Sequence, residues 1–173
     1  MLEKLKSADF DLVFQMMEAS FPLDEYRPYA QQKALLAHPM YQIYTLPEID
    51  THKIQSFISV WDLDSIAFIE HFAVDPGLRN GGLGAKVLRE LMDFLGKRLC
   101  LEVELPDNEL AARRIGFYKR NQFFLNPYPY VQPPLAEGKK ELPLLLMTTE
   151  GVMEPLEFQE IQRLVHTQVY QQK

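Results

Sequence analysis

Glu70–Ala85, EHFAVDPGLRNGGLGA, is the stretch of the chain densest in groups that could do chemistry. Glu70 interrupts an apolar run that starts at Ile66 (IAFIE). Burying a carboxylate there is costly unless it has a use, and burial raises its pKa towards the range of a general base. Glu70 is therefore the candidate base, with a solvent-facing residue of an amphipathic strand as the plain alternative. In an extended strand His71 points to the other face and ranks below it. After the turn Asp75-Pro76-Gly77, the run Arg79-Asn-Gly-Gly-Leu-Gly84 leads into a helical pattern. Its three glycines in four positions let backbone approach a ligand closely. The first N–H groups of a helix point outward, and its dipole favours an anion by about 0.3–1 kcal/mol. That combination is a phosphate cradle. From Gly77 to Arg98, five cations (Arg79, Lys86, Arg89, Lys97 and Arg98) oppose only Glu90 and Asp93, a +3 island in a chain of net charge −6. A polyanionic ligand suits such an island; beyond Arg79, each cation suits a solvated helix face equally well.

These residues need elements to hold them. Apolar residues at 10, 13, 14, 16 and 17 give a helix over Phe10–Ser20, with Asp9 as its N-cap. A second helix is expected through Arg27–Ala37, ending before Pro39. Tyr41–Leu46, Lys53–Trp61 and Ser65–Val74 read as strands, with Thr51–Lys53 in the connection between the first two. Leu83, Val87, Leu88, Leu91 and Leu95 form one stripe of a helix Leu83–Leu95, stopped by Gly96. A strand Leu99–Leu105 follows, then a helix Glu109–Arg120. Phe123–Leu125 and Leu142–Thr148 read as strands joined by a Pro-rich loop, Pro127–Pro134. Pro155 opens a last helix to about Tyr170, with Phe158, Ile161, Val165 and Val169 as its stripe. Leu2–Leu5 is a candidate first strand. The order is α/β, antiparallel early, with a βαβα unit that should make Ser65–Val74 and Leu99–Leu105 parallel.

Three phosphate-binding patterns compete. A Walker loop needs GxxxxGK before Ser or Thr; Gly77 and Gly82 have the spacing, but Leu83 stands where Lys must be. A dinucleotide fingerprint starting at Gly82 and Gly84 has Val87 in place of its third glycine, and Asp75–Gly81 separates it from the strand. Glu102 or Glu104 sits near the expected acidic position and keeps that reading open. The third pattern, Arg79-x-x-Gly82-x-Gly84 after a strand and loop, resembles the acyl-coenzyme A motif of the GNAT superfamily of N-acetyltransferases. The resemblance covers roughly residues 53–124 and includes the downstream Gly116-Phe117-Tyr118.

The resemblance implies a GNAT-like mixed, mostly antiparallel sheet of six to seven strands with a central splayed parallel pair, flanking helices and a C-terminal helix. It implies acetyl-coenzyme A as cosubstrate. Backbone of Arg79, Asn80, Gly81, Gly82, Leu83, Gly84 and Ala85 would hold the diphosphate. Phe72, Ala73 and Val74 would meet the pantetheine arm, and Asn108 would line the channel, unless it only forms a turn. Tyr118 would be the general acid towards the thiolate, a phenol being protonated at neutral pH; a packed core tyrosine is the alternative. The sequence departs from the family in a longer Asn108–Tyr118 span and in Gln122, where a glycine usually precedes the aromatic residue. Acceptor sites in the family come from variable parts, which here hold Asp24, Glu25, Tyr26, Tyr29, Tyr128 and Tyr130. Acidic and aromatic residues suit a cationic amine.

Composition sets the bounds. The 173 residues, 47% hydrophobic and 24% charged, suit a folded domain. We expect an acetyltransferase domain over 1–150 and a helical extension over 151–173, packed on that domain or on a partner subunit through Phe158, Ile161 and Val165, so that a homodimer stays open. The acidic balance argues against nucleic acid, and no run is apolar enough to span a membrane. Charges in Met1–Lys6 where a secretory signal needs an apolar stretch, and a single cysteine, Cys100, make a cytoplasmic location the expectation. His38, His52 and His166 show no ligand spacing, so no metal is expected. The expected activity is direct acetyl transfer to a primary amine, small molecule or peptide. The alternatives are a non-catalytic acyl-coenzyme A sensing module and, more weakly, a nucleotide-dependent oxidoreductase.

Overall fold

A computed structural model describes residues 1–48, 50–51 and 53–172. His52 lies outside the described residues. The chain divides into two compact units, Met1–Asp62 with Ile69–Gly96, and Leu63–Phe68 with Lys97–Lys173.

The first unit holds β1 (Glu3–Lys4), α1 (Phe10–Ser20), α2 (Tyr29–Ala34), β2 (Tyr41–Pro47), β3 (Ile54–Asp62), most of β4 (Ala67–Val74) and α3 (Leu83–Leu95). Its strand order is β1-β2-β3-β4. β2 and β3 pair antiparallel, Tyr41 opposite Trp61 and Tyr44 opposite Ile58. β4 runs antiparallel to β3: the Ser56 hydroxyl donates to the Ala73 carbonyl (2.7 Å), and His71 N–H donates to the Ser59 hydroxyl (3.0 Å). β3 is buried along nearly its whole length, as a strand covered on both faces must be. Phe10, Val13, Phe14 and Met17 seat α1. Asp9 stands at its N-cap position, but its side chain makes no capping hydrogen bond, and a 3-10 turn, Ser7–Asp9, leads in instead. The expected helix Arg27–Ala37 is shorter than read. Pro28 is extended and delays α2 to Tyr29, and a 3-10 turn, Leu35–Ala37, finishes it. α3 has the expected bounds; it buries Val87, Leu88 and Leu91, and Gly96 (φ 57°) closes it by donating to Met92 O.

The second unit holds the first residues of β4, then β5 (Leu99–Glu104), α4 (Glu109–Arg120), β6 (Phe124–Leu125), β7 (Tyr130–Gln132), β8 (Leu142–Thr148) and α5 (Pro155–Gln168). Ala67 N–H donates to Arg98 O just ahead of β5 (2.9 Å), and β4 and β5 are the parallel pair. β8 lies antiparallel to β5, β6 and β7. Eight strands form among the described residues rather than six or seven. The addition is β7, in the stretch expected as Pro-rich loop. Tyr130-Val131-Gln132 is free of proline, and a proline outside a short edge strand withholds no ladder bond from it. The fold is mixed α/β with a mostly antiparallel sheet.

Buried polar groups fasten α5 within this unit. Asn126 is fully buried; its amide donates to Leu146 O (3.1 Å) and Thr148 Oγ1 (3.0 Å), and its carbonyl accepts from Met153 N (2.7 Å). Arg98 donates to the carbonyls of Thr149 (3.0 Å) and Gly151 (2.9 Å) and pairs with Glu157. Phe158, Ile161 and Val165 are 5%, 5% and 0% exposed. Asn126→Ala strands the buried Met153 N–H and takes away two further hydrogen bonds, so it should cost about 2–3 kcal/mol. The urea midpoint should fall with an unchanged slope, and a wild-type midpoint would contradict the role given to Asn126.

Candidate active site

The cradle is built as β4 ends. Asp75 turns the chain: its carboxylate accepts from Gly77 N (2.8 Å) and pairs with Lys53 Nζ (3.0 Å). A 3-10 turn, Pro76–Leu78, follows, and Arg79 Nε reaches back to Val74 O (3.2 Å). Asn80 (φ 67°) and Gly82 (φ 78°) are left-handed, so the chain coils into α3 with its N–H groups leading. Gly82 is the N-cap and offers no side chain to cap with. The first intrahelical donor is Lys86, to Gly82 O (3.1 Å). The N–H groups of Leu83, Gly84 and Ala85 thus have no acceptor inside the helix. A Cβ at Gly82 would meet nothing within 4 Å. An anion therefore finds open donors at this end, in the first unit. Of the basic run, Arg98 is spent on the start of α5, and Lys86 stands 3.9 Å from Glu90 one turn on.

Glu70 is sealed in the same unit. Its side chain is 3% exposed. Oε1 pairs with the guanidinium of Arg27, itself buried, and Oε2 accepts from Trp61 Nε1 (2.9 Å). His71 Nδ1 lies 3.9 Å from Oε2 and 3.4 Å from the Ser59 hydroxyl, and Nε2 lies 2.7 Å from Glu25 O. That carbonyl can only accept, so Nε2 carries the proton. Burial pushes the Glu70 carboxyl up, as expected from the sequence, but the charge of Arg27 and the hydrogen bonds from Arg27 and Trp61 outweigh it. The carboxyl is held below its ordinary 4.5, which reverses the expected direction. Burial lowers His71 below 6.5. Arg27 and Trp61 escaped the sequence reading because no local signal links Arg27 to a carboxylate 43 positions away.

In the second unit, Tyr118 lies on the buried face of α4, 8% exposed, with Phe117 and Phe123 at 5.3 and 5.5 Å between ring centres. Burial pushes its phenol up to about 12. α4 closes in a Schellman arrangement: Gln122 N donates to Lys119 O, Phe123 N to Tyr118 O, and Phe123 packs on Tyr118. Gln122 holds φ 67°, the left-handed position that glycine takes at least cost. The departure from the family's glycine therefore keeps the backbone geometry. Asn108 is the N-cap of α4: its carbonyl accepts from Ala111 N (2.9 Å) and its amide donates to Asp107 (2.8 Å).

Of the expected acceptor aromatics, two serve structure. Tyr128 donates to Met153 O (2.9 Å), and Tyr130, 2% exposed, donates to Glu102, which also takes the Tyr170 hydroxyl (2.8 Å). Tyr26 is buried against Phe14, and Tyr29 bonds Asp11. Cys100 is fully buried, and burial pushes its thiol up. Among the described residues no group of His, Cys, Asp and Glu converges as a metal site, and no helix is long and apolar enough to cross a membrane.

The sequence profile of the acetyltransferase (GNAT) family matches residues 10–123. The chain belongs to this family and is an acetyltransferase of the GNAT type. A structure assigned to the GNAT family from Bacteroides thetaiotaomicron is 34% identical over 100% of this chain and 99% of its own, with a TM-score of 0.89. The ribosomal-protein-S18-alanine N-acetyltransferase from Escherichia coli shares the fold at 21% identity and a TM-score of 0.66, over 89% of this chain and 95% of its own. An aminoglycoside 6'-N-acetyltransferase in complex with coenzyme A does so at 14% and 0.64, over 86% and 96%. No curated protein matches by sequence.

Two outcomes follow from this geometry. Gln122→Gly should stabilise the protein by up to about 1 kcal/mol, because a side chain in a left-handed position costs about that much; a lower thermal midpoint would contradict it. His71 and Glu70 both titrate lower when folded, so the unfolded chain takes up protons first and acid destabilises. Stability should fall as pH drops through 6.5, and further below 4.5. The thermal midpoint of His71→Gln should fall less between pH 7.5 and 5 than that of the wild type; an equal fall would remove His71 from the account.

Proposed function

We propose that the protein transfers the acetyl group of acetyl-coenzyme A directly to a primary amine, on a small molecule or a peptide, with no covalent enzyme intermediate. The observation that carries this reading is the left-handed entry Asn80–Gly82 into an uncapped α3, one turn after β4, in a chain of the GNAT family. The amides of Gly81–Ala85 hold the diphosphate, with Arg79 and Asn80 shaping the turn. The backbone of Phe72, Ala73 and Val74 meets the pantetheine arm. Asn108 serves this binding indirectly, by starting α4.

The chemistry needs two proton events. The amine nitrogen attacks the thioester carbon, the C–S bond breaks, and the nitrogen gives up a proton. Glu70 is the acceptor of that proton through water. Its carboxyl stays ionised across neutral pH, so it works as a standing hydrogen-bond acceptor that passes the proton on to solvent. Tyr118 serves the thiolate. Its phenol near 12 stands some 3–4 units above a thiol near 8.5, so complete transfer is uphill by about 5 kcal/mol. Tyr118 therefore acts by donating a hydrogen bond to the departing sulfur. The acceptor is a cation met by Asp24 and Glu25, and the protein acts in the cytoplasm.

A second reading, a non-catalytic acyl-coenzyme A sensor, is favoured by one observation: both oxygens of Glu70 are already occupied. A panel of amines and peptides separates the two. Turnover on a cationic amine supports the enzyme; coenzyme binding with no turnover on any acceptor supports the sensor. Tyr118→Phe should lower kcat about 100-fold, with the coenzyme A Kd changed less than about threefold. An unchanged kcat would remove Tyr118 from the reaction.

A further inference from the structure

The inference below rests on the reading of Glu70 as proton acceptor. We infer that Arg27 is a positioning residue for the transfer: its buried guanidinium grips the Glu70 carboxylate and fixes its charge and its direction. Three observations carry it. The Arg27 and Glu70 side chains are 8% and 3% exposed, so the pair is deeply buried and little screened by salt. The two carboxylate oxygens are held from two elements, Oε1 by Arg27 ahead of α2 and Oε2 by Trp61 on β3, which leaves the carboxylate one orientation. Arg27 is itself braced: its N–H donates to Gln32 Oε1 (3.4 Å), and the fully buried Gln32 donates to the Tyr41 hydroxyl (2.9 Å).

A buried ion pair adds little net stability over apolar residues of similar size. Its presence on the strand that leads into the cradle therefore asks for a functional reason. The groups around Glu70 are Arg27, Trp61 on β3, His71 on β4 and, further along the same chain of bonds, Tyr41 on β2. His71 is neutral with Nε2 on the Glu25 carbonyl, and burial keeps Tyr41 a neutral phenol. Arg27 is thus the standing positive charge against Glu70. Without it, burial acts unopposed, and the carboxyl takes up a proton at higher pH.

The test follows the Glu70 side-chain carboxyl by carbon-13 NMR from pH 8 to 5, with Glu70→Gln identifying the signal. The wild type should show no inflection in that range. Arg27→Gln should show one, displaced upward by about one to three pH units. Arg27→Lys, which keeps a charge, should restore the flat curve. An Arg27→Gln curve that superimposes on the wild type overturns the proposal and leaves Arg27 a structural fastener. Where Arg27→Gln fails to fold, Arg27→Lys decides: a flat curve with lowered kcat on the best amine of the acceptor panel supports positioning, and an inflection or a wild-type kcat overturns it. The reading of Glu70 is tested separately by the turnover of Glu70→Gln on that amine. Wild-type turnover there sinks the proton-acceptor role, and with it a role for Arg27 in the reaction, whatever the titration shows.

Discussion

An α-helix leaves its first N–H groups without acceptors, and α3 starts with no side chain to supply one. The proposed function rests on how the chain meets that constraint. Asn80 and Gly82 in left-handed conformations, the Asp75 turn and the reach of Arg79 to Val74 O shape the entry to that helix. A helix start that is deliberately unsatisfied and open is a place for an anion. The strand that delivers it, β4, carries Glu70 four residues before its end.

The second constraint is electrostatic. A carboxylate in a strand covered on both faces loses most of its hydration, which disfavours its charge. In the first unit Arg27 and Trp61 reverse that balance, and Glu70 stays ionised. Removing one partner of a buried pair costs about 3–5 kcal/mol, because the other is left uncompensated. The segment before α2 and the strand β4 are thus held by the same buried ion pair. In the second unit α5 is fastened by neutral and charged groups together: Asn126, Thr148, the Arg98–Glu157 pair and the Glu102–Tyr130–Tyr170 group.

Much of this was legible in the residues. The bounds of α1, α3, α4 and β8 follow from apolar period, the Gly96 stop and flanking turn residues. The glycine-rich entry to α3 was legible in the spacing Arg79-x-x-Gly82-x-Gly84, and the structure gives it left-handed Asn80 and Gly82. What escaped were effects of tertiary partners. Pro28, extended at ψ 147°, lies outside α2, which starts only at Tyr29, where a period count over Arg27–Ala37 would have begun it earlier. β7 hid between prolines because its pairing depends on β8, far along the chain. Tyr128 and Tyr130 looked like acceptor aromatics and are instead spent on Met153 and Glu102. Gln122 looked like a departure from the family pattern, yet its backbone sits where glycine would. The sign of the Glu70 shift was misread for the same reason: burial is legible in an apolar strand, whereas a counter-ion 43 residues away is not.

The most direct test of the central claim is the proton–nitrogen-15 spectrum of the protein titrated with coenzyme A. The account predicts saturating shifts of the amide signals of Gly81, Gly82, Leu83, Gly84 and Ala85, as their N–H groups take phosphate oxygens for acceptors. Signals of these five residues that stay in place at coenzyme concentrations up to the millimolar range would contradict it.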